Sequence, residues 1–222
     1  DFRTTLSNKG GSYFFPLYLY PDKIDEFING NGNGNGKNQE LPRKPNFAED
    51  FINDLETRLN LQLIPEGQGD FEKTASALDV FNYMYAVFHS PTYRQRYAEF
   101  LKIDFPRLPL TSDQTLFKQL AELGGQLVQI HLMEAEMEND CSFPIKGNNL
   151  VEKLVYKDEQ VYINQTQYFD RVTPEIWEFH IGGYQVCEKW LKDRKGRVLH
   201  FEECSRYLYI LAALEETRGL MA

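Results

Sequence analysis

The sequence predicts an α+β fold: a mainly helical centre, a small antiparallel β unit and a C-terminal helix. Three observations carry this. Apolar residues recur at helical spacing between about residues 47 and 133, the spacing shortens toward two between 151 and 163, and it returns to helical from 201 to 220. Helices and strands do not alternate regularly, which separates this pattern from a doubly wound α/β sheet.

Residues 12–20, SYFFPLYLY, are aromatic and β-prone and predict a strand ending at Pro21. The repeat Asn29 to Gly36 alternates Asn and Gly, offers nothing to bury, and predicts a flexible loop over 29–37. Phe47, Phe51, Leu55 and Leu59 recur at i, i+4 and predict a helix. A longer helix is expected from Phe71 to Phe88, with Leu78, Phe81, Met84, Tyr85 and Phe88 on one face. Ser90-Pro91 breaks it, because proline cannot continue the hydrogen-bond ladder but suits the first turn of a new helix. That helix carries Tyr93, Tyr97, Phe100 and Leu101, and Pro106 and Pro109 end it in an extended segment, Phe105 to Leu110. Thr111 with Gln114 has the signature of a capping box for a helix running through Leu116, Leu120, Leu123, Leu127 and Ile130 to about Met133.

After the acidic stretch Glu134 to Asp140, Val151, Val155, Val161, Tyr162 and Ile163 are strand-like, with Lys157-Asp158-Glu159 as a hairpin tip. Ile176 to Phe179 predicts another strand, and Gly182-Gly183 a strand-to-helix turn. Tyr184 to Lys192 predicts a short helix closed at Gly196, and Phe201 to Leu220 the last helix. Residues 1–222 are expected to form one domain, with a possible subdivision into 1–140 and 141–222.

Composition narrows the function. The 222 residues are 42% hydrophobic and 14% aromatic, enough for a packed core. A net charge of −9 excludes a uniformly basic nucleic-acid coat but not a local basic patch. Cys141, Cys187 and Cys204 form no C-x-x-C pair, and an odd count without framework spacing points to a reducing, cytoplasmic setting. No apolar run approaches the roughly 20 residues of a membrane helix. The start on Asp1, without Met or a basic leader, fits a piece of a longer protein without a signal peptide.

Catalytic motifs are scarce. His89, His131, His180 and His200 form no metal-ligand motif, and no P-loop, nucleophile elbow or dinucleotide fingerprint occurs. Pro174-Glu175 followed by Asp193-Arg194-Lys195 has a weak nuclease-like spacing, but it places the Asp-x-Lys at a helix end. There the helix dipole alone explains the cations. The isolated chain is therefore expected to be non-catalytic.

Basic clustering is more informative. Between Lys189 and Arg197 stand Lys189, Lys192, Arg194, Lys195 and Arg197 against Asp193 alone. Between Thr92 and Arg107 stand Arg94, Arg96, Lys102 and Arg107 against Glu99 and Asp104. These are the two places where a phosphate backbone could sit. Taken alone, either cluster is read more readily as a solvated helix face. In Asn164-Gln165-Thr166-Gln167-Tyr168, Gln165 and Gln167 are candidates to read base edges, and equally candidates for turn residues. The DNA-binding candidates are thus Arg94, Arg96, Arg107, Gln165, Gln167, Lys189, Lys192, Arg194, Lys195 and Arg197.

Three stretches together resemble one family: Gly11 to Tyr20 (GSYFFPLYLY); Tyr83 to Tyr97 (YMYAVFHSPTYRQRY), leading to Phe105-Pro106-Arg107-Leu108-Pro109; and Ile181 to Arg197 (IGGYQVCEKWLKDRKGR). The chain resembles, over nearly its whole length, the C-terminal specificity domain of type ISP restriction–modification enzymes and related adenine-specific DNA methyltransferases. The resemblance implies a target recognition module whose partners are double-stranded DNA and the methyltransferase and nuclease regions of the same polypeptide, with no membrane. It implies S-adenosylmethionine in those other regions, with Mg²⁺ and ATP as further candidates there, and no cofactor in this chain. The glycine-rich cofactor loop and Asn-Pro-Pro-Tyr/Phe motif of such methyltransferases do not occur here. Two other readings are a helical protein-interaction scaffold and a small metal-dependent nuclease.

Overall fold

The computed structural model describes residues 3–7, 10–20, 43–138, 140–181 and 183–221. The Asn29 to Gly36 repeat lies outside them. The fold is α+β. Its contacts group into two compact units, Asp1–Phe88 with Thr92–Gly125, and His89–Pro91 with Gln126–Ala222.

In the first unit the single strand expected over 12–20 is two. β1 (Arg3–Ser7) pairs antiparallel with β2 (Gly10–Tyr13), and β3 (Tyr18–Leu19) with β4 (Lys44–Pro45). Pro16 interrupts the run because it has no N–H to give a ladder. Its carbonyl instead accepts Asn46 Nδ2 at 2.9 Å. Helix α1 (Glu49–Leu59) buries Leu55 and Leu59 and ends at Asn60 in the left-handed region, φ 50°.

The helix expected from Phe71 starts six residues later. Asp70 Oδ1 accepts the backbone N–H groups of Glu72, Lys73 and Thr74 at 2.8–2.9 Å, holding a turn. Thr74–Ser76 then forms β6, parallel to β5 (Gln62–Ile64). Ser76 and Asp79 cap α2 (Ala77–His89) reciprocally. Ser76 Oγ accepts the Asp79 N–H at 3.1 Å, and Asp79 Oδ2 accepts the Ser76 N–H at 2.7 Å. The buried face of α2 runs through Val80, Tyr83, Ala86 and Val87, and Leu78 is 47% exposed.

Pro91 opens α3 (Pro91–Arg96), as its spacing predicts, and one 3₁₀ turn follows at Phe100–Lys102. The extended segment after it is tied down by Tyr83 Oη to the Pro109 carbonyl (2.7 Å) and Tyr93 Oη to the Arg107 carbonyl (2.8 Å). Helix α4 (Gln114–His131) is capped by Asp113, whose Oδ1 accepts Thr115 N and Leu116 N, not by a Thr111–Gln114 box. Gln114 instead donates to the Glu72 carbonyl.

In the second unit, β7 (Val155–Lys157), β8 (Gln160–Tyr162) and β9 (Tyr168–Phe169) form an antiparallel sheet. The tip expected at Lys157 to Glu159 is there, with Asp158 and Glu159 at φ 52° and 58°. The strand expected at Ile176 to Phe179 is instead a helical turn, α5 (Pro174–Trp177). Thr173 is extended and Pro174 occupies the first helical position, which fixes φ for a helix. Gly183 sits in the connection of a small hairpin, β10 (His180–Ile181) with β11 (Tyr184–Gln185), so the chain turns back as a strand before α6 (Val186–Lys192).

Helix α7 (Phe201–Leu220) has the expected bounds and a His200–Glu203 capping box. Tyr207 is fully buried at the centre of this unit, its ring 4.5 Å from Phe169 and 5.1 Å from Trp190. Leu191, Ile176 and Leu211 complete the core around it. Among the described residues no helix is long and apolar enough to cross a membrane.

Candidate nucleic-acid interface

The last turn of α6 and the loop after it carry the richest run of cations. Gly196, at φ 80°, lets the chain reverse there. Its N–H donates to the Val151 carbonyl at 2.8 Å, and Val151 N donates to the Arg197 carbonyl at 2.9 Å. The basic loop is thereby fastened to the segment preceding the sheet.

Its charges are largely answered from within. Lys189 pairs with Asp193, and Lys192 with Glu188 at 2.7 Å. Arg194 and Arg197 both reach Glu203 Oε1, at 3.2 and 3.0 Å. Glu203 in turn accepts the His200 N–H at the start of α7. Lys195 is exposed and has no ion partner among the described residues. Five cations therefore face three carboxylates. The sequence window counted Asp193 alone, because Glu188 lies one residue outside it and Glu203 arrives on the next helix. Exposed pairs of this kind hold only about 0–1 kcal/mol, so Lys189 and Lys192 can exchange their partner for a phosphate at little cost. Arg194 is different: it is partly buried, lies over the Trp190 ring, and donates to the Trp190 carbonyl.

The two glutamines part company. Gln165 is exposed at the tip of the turn after β8, whereas Gln167 is 1% exposed. Asn164 Oδ1 accepts Thr166 N and Gln167 N, at 3.1 and 2.8 Å, and this turn sends one side chain out and the other in. Gln167 Oε1 accepts Asn149 N and Asn164 Nδ2, and Gln167 Nε2 donates to the Ile145 carbonyl and Asn149 Oδ1. Its amide is fully engaged inside the protein, so Gln167 shapes the loop and has nothing left for a base.

The remaining candidates belong to the first unit. Arg94 is half-buried and donates to the Phe88 carbonyl at the end of α2, at 2.8 Å. Arg96 is exposed. Arg107 is exposed, 5.1 Å over the Phe100 ring and 3.7 Å from Asp104. It borders a hollow of about 320 Å³ lined by Tyr93, Tyr97, Phe100, Leu108 and Pro109.

The nuclease-like spacing gains no geometry. Glu175 sits in the helical turn α5, and Asp193 is engaged by Lys189. Among the described residues no three His, Cys, Asp or Glu side chains gather to hold a metal. Sequence reasoning passed over Lys146 and Asn148, exposed on the loop that Gln167 fastens. The turn composition Lys146-Gly147-Asn148-Asn149 was the available signal.

The fold is shared with three larger proteins of known structure. A nuclease-deletion mutant of the Type ISP restriction-modification enzyme LlaGI in complex with a DNA substrate mimic is 22% identical over 65% of this chain and 13% of its own, TM-score 0.51. The ATP-dependent Type ISP restriction-modification enzyme LlaBIII bound to DNA is 17% identical over 93% of this chain and 13% of its own, TM-score 0.59. A DrdV–DNA complex is 19% identical over 82% of this chain and 20% of its own, TM-score 0.61. The chain thus spans a fifth or less of the length of each. No curated protein sequence matches it. The family model of the Type ISP C-terminal specificity domain matches residues 2–222. With that match running the length of the sequence, the chain belongs to the Type ISP C-terminal specificity domain family.

Proposed function

We propose that this domain recognises a DNA sequence on behalf of a restriction–modification enzyme whose catalytic regions lie elsewhere in a longer polypeptide. The observation that carries the reading is the full-length match to a specificity-domain family. The fold it shares with two Type ISP restriction-modification enzymes, one bound to DNA and one to a DNA substrate mimic, and with a DrdV–DNA complex supports it. Double-stranded DNA is the ligand, and the methyltransferase and nuclease regions of the same polypeptide are the partners. S-adenosylmethionine, with Mg²⁺ and ATP, serves those regions, and the setting is the cytoplasm. Phosphates are met by the loop from Lys189 to Arg197 and by Arg96 and Arg107. Bases are read by polar side chains beside the loop, Gln165 first among them.

The test is duplex binding by the chain at low salt, with wild type compared with a triple charge reversal at Lys192, Arg194 and Lys195. Affinity for all duplexes falls together if the loop meets phosphates. Intact affinity and salt dependence in this variant, and in one with Arg94, Arg96 and Arg107 reversed, overturns the reading and favours an interaction scaffold.

A further inference from the structure

Two loops of the second unit are joined by a buried lattice of side-chain amides. Asn149 is its hub, held at φ 54°. The Asn149 N–H donates to Gln167 Oε1 at 2.8 Å, and Asn149 Oδ1 accepts Gln167 Nε2 at 2.7 Å. Asn149 Nδ2 reaches the Leu199 carbonyl at 3.2 Å, and the Asn149 carbonyl accepts Leu199 N at 2.9 Å. Asn164 Nδ2 adds bonds to Gln167 Oε1 (3.0 Å) and to the Leu150 carbonyl (3.1 Å). A Cβ on Gly147 would stand 2.6 Å from Gln167 Cδ, so the 145–149 loop closes on Gln167 only with glycine there. The segment 149–151 thus has the 163–167 turn on one side and residues 196–199 of the basic loop, bridged at Leu150 and Val198, on the other.

Burying this many amides is tolerable only when each is bonded, and a fully bonded set holds its loops rigidly. The tips of these loops end in polar groups that the lattice does not use. Gln165 is exposed, and no hydrogen bond to its amide exists among the described residues. Asn148 is exposed. Its Oδ1 accepts Leu150 N at 3.0 Å and Asn164 Nδ2 at 3.4 Å, which leaves its NH₂ group as a donor.

We propose, building on the DNA-recognition reading, that Asn148 and Gln165 form one base-reading edge in the major groove. Asn149 and Gln167 are the positioning residues that hold it beside Lys195 and Arg197. The chemistry of the two tips differs. Gln165 has both halves of its amide available and suits the paired acceptor and donor of adenine. Asn148 can only donate, and suits an acceptor: a purine N7, guanine O6 or thymine O4.

The experiment selects duplexes from a randomised pool with the chain, wild type against Gln165→Ala, Asn148→Ala and Asn149→Gly. Gln165→Ala is expected to lose about tenfold or more of an adenine preference at one position. Asn148→Ala is expected to relax a nearby position. Asn149→Gly keeps the left-handed backbone but removes the amide, and is expected to relax both positions while affinity for random duplex and the salt slope stay within about twofold. A lattice that served only the fold would lower the melting temperature and leave base preference unchanged. Unchanged preference in the two exposed-tip variants, with salt-dependent DNA binding retained, overturns this inference and leaves the recognition reading standing. No salt-dependent duplex binding by wild type overturns both.

Discussion

Arg194 stands over the Trp190 ring, its guanidinium carbon 3.4 Å from the ring centroid, and donates to the Trp190 carbonyl at 2.9 Å. Its other partner, Glu203, belongs to α7. The cation therefore ties the end of α6 to the start of α7 around the Trp190–Tyr207 contact. Lys195, next to it, is exposed and has no such ties among the described residues. Arg194→Ala is expected to cost about 1–3 kcal/mol of stability, from a charge-assisted hydrogen bond and a cation–π contact. Lys195→Ala is expected to change stability by less than about 0.5 kcal/mol. Urea denaturation of the two variants checks the contrast.

The ion pairs of the basic loop set the salt dependence of binding. Replacing Lys192 and Lys195 by Gln is expected to lower the slope of log affinity against log salt by about 0.9 for each phosphate contact removed. Glu188→Gln frees Lys192 from its 2.7 Å partner and is expected to tighten binding to every duplex. Titrations at several salt concentrations check both signs.

Neighbouring glycines in α4 respond oppositely to alanine. A Cβ at Gly124 would lie 1.9 Å from the Asn82 carbonyl oxygen of α2, a backbone atom that cannot swing away. At Gly125 the nearest atom is the Asn82 side-chain nitrogen, at 3.2 Å. Gly124→Ala is expected to destabilise by about 2–3 kcal/mol despite the better helix propensity of alanine. Gly125→Ala is expected to be neutral or to stabilise by up to about 1 kcal/mol. Thermal melts of the two variants decide it.

The cysteines are poor nucleophiles in the folded chain. Burial pushes the Cys187 thiol up to about 12 and Cys141 to about 11, and it raises Cys204 as well. All three stay protonated at pH 8, and the thiolate is the reactive form. Reaction of Cys187 with a disulfide reagent is expected to wait for denaturant. Fast modification of Cys187 in the native chain, seen by mass spectrometry, would contradict the buried placement.

Local signals carried much of the fold. The bounds of α7 follow from its apolar period, and the hairpin tip at Asp158-Glu159 follows from three polar residues between two valine-bearing runs. Both depend on residues within a few positions of one another. The pairing of β5 with β6 was not legible, because a parallel partner lies beyond any local pattern and the turn that creates it hangs on one carboxylate, Asp70. Ile176 to Phe179 misled for a related reason: four apolar-rich residues fit a strand or a helical turn, and the preceding Thr173-Pro174 decided for the turn.

The site divides in the same way. The sequence by itself determined that cations concentrate between Lys189 and Arg197 and that polar amides follow β8, since both are facts of composition. Only the tertiary structure decided which of these groups remain available. Glu203 answers two arginines across the start of a helix, and Asn149 engages Gln167 from eighteen residues away. A side chain's capacity for an outside ligand is what its own fold leaves unbonded. That remainder is set by partners distant in the chain, because desolvated charges and amides must find bonds wherever packing brings them.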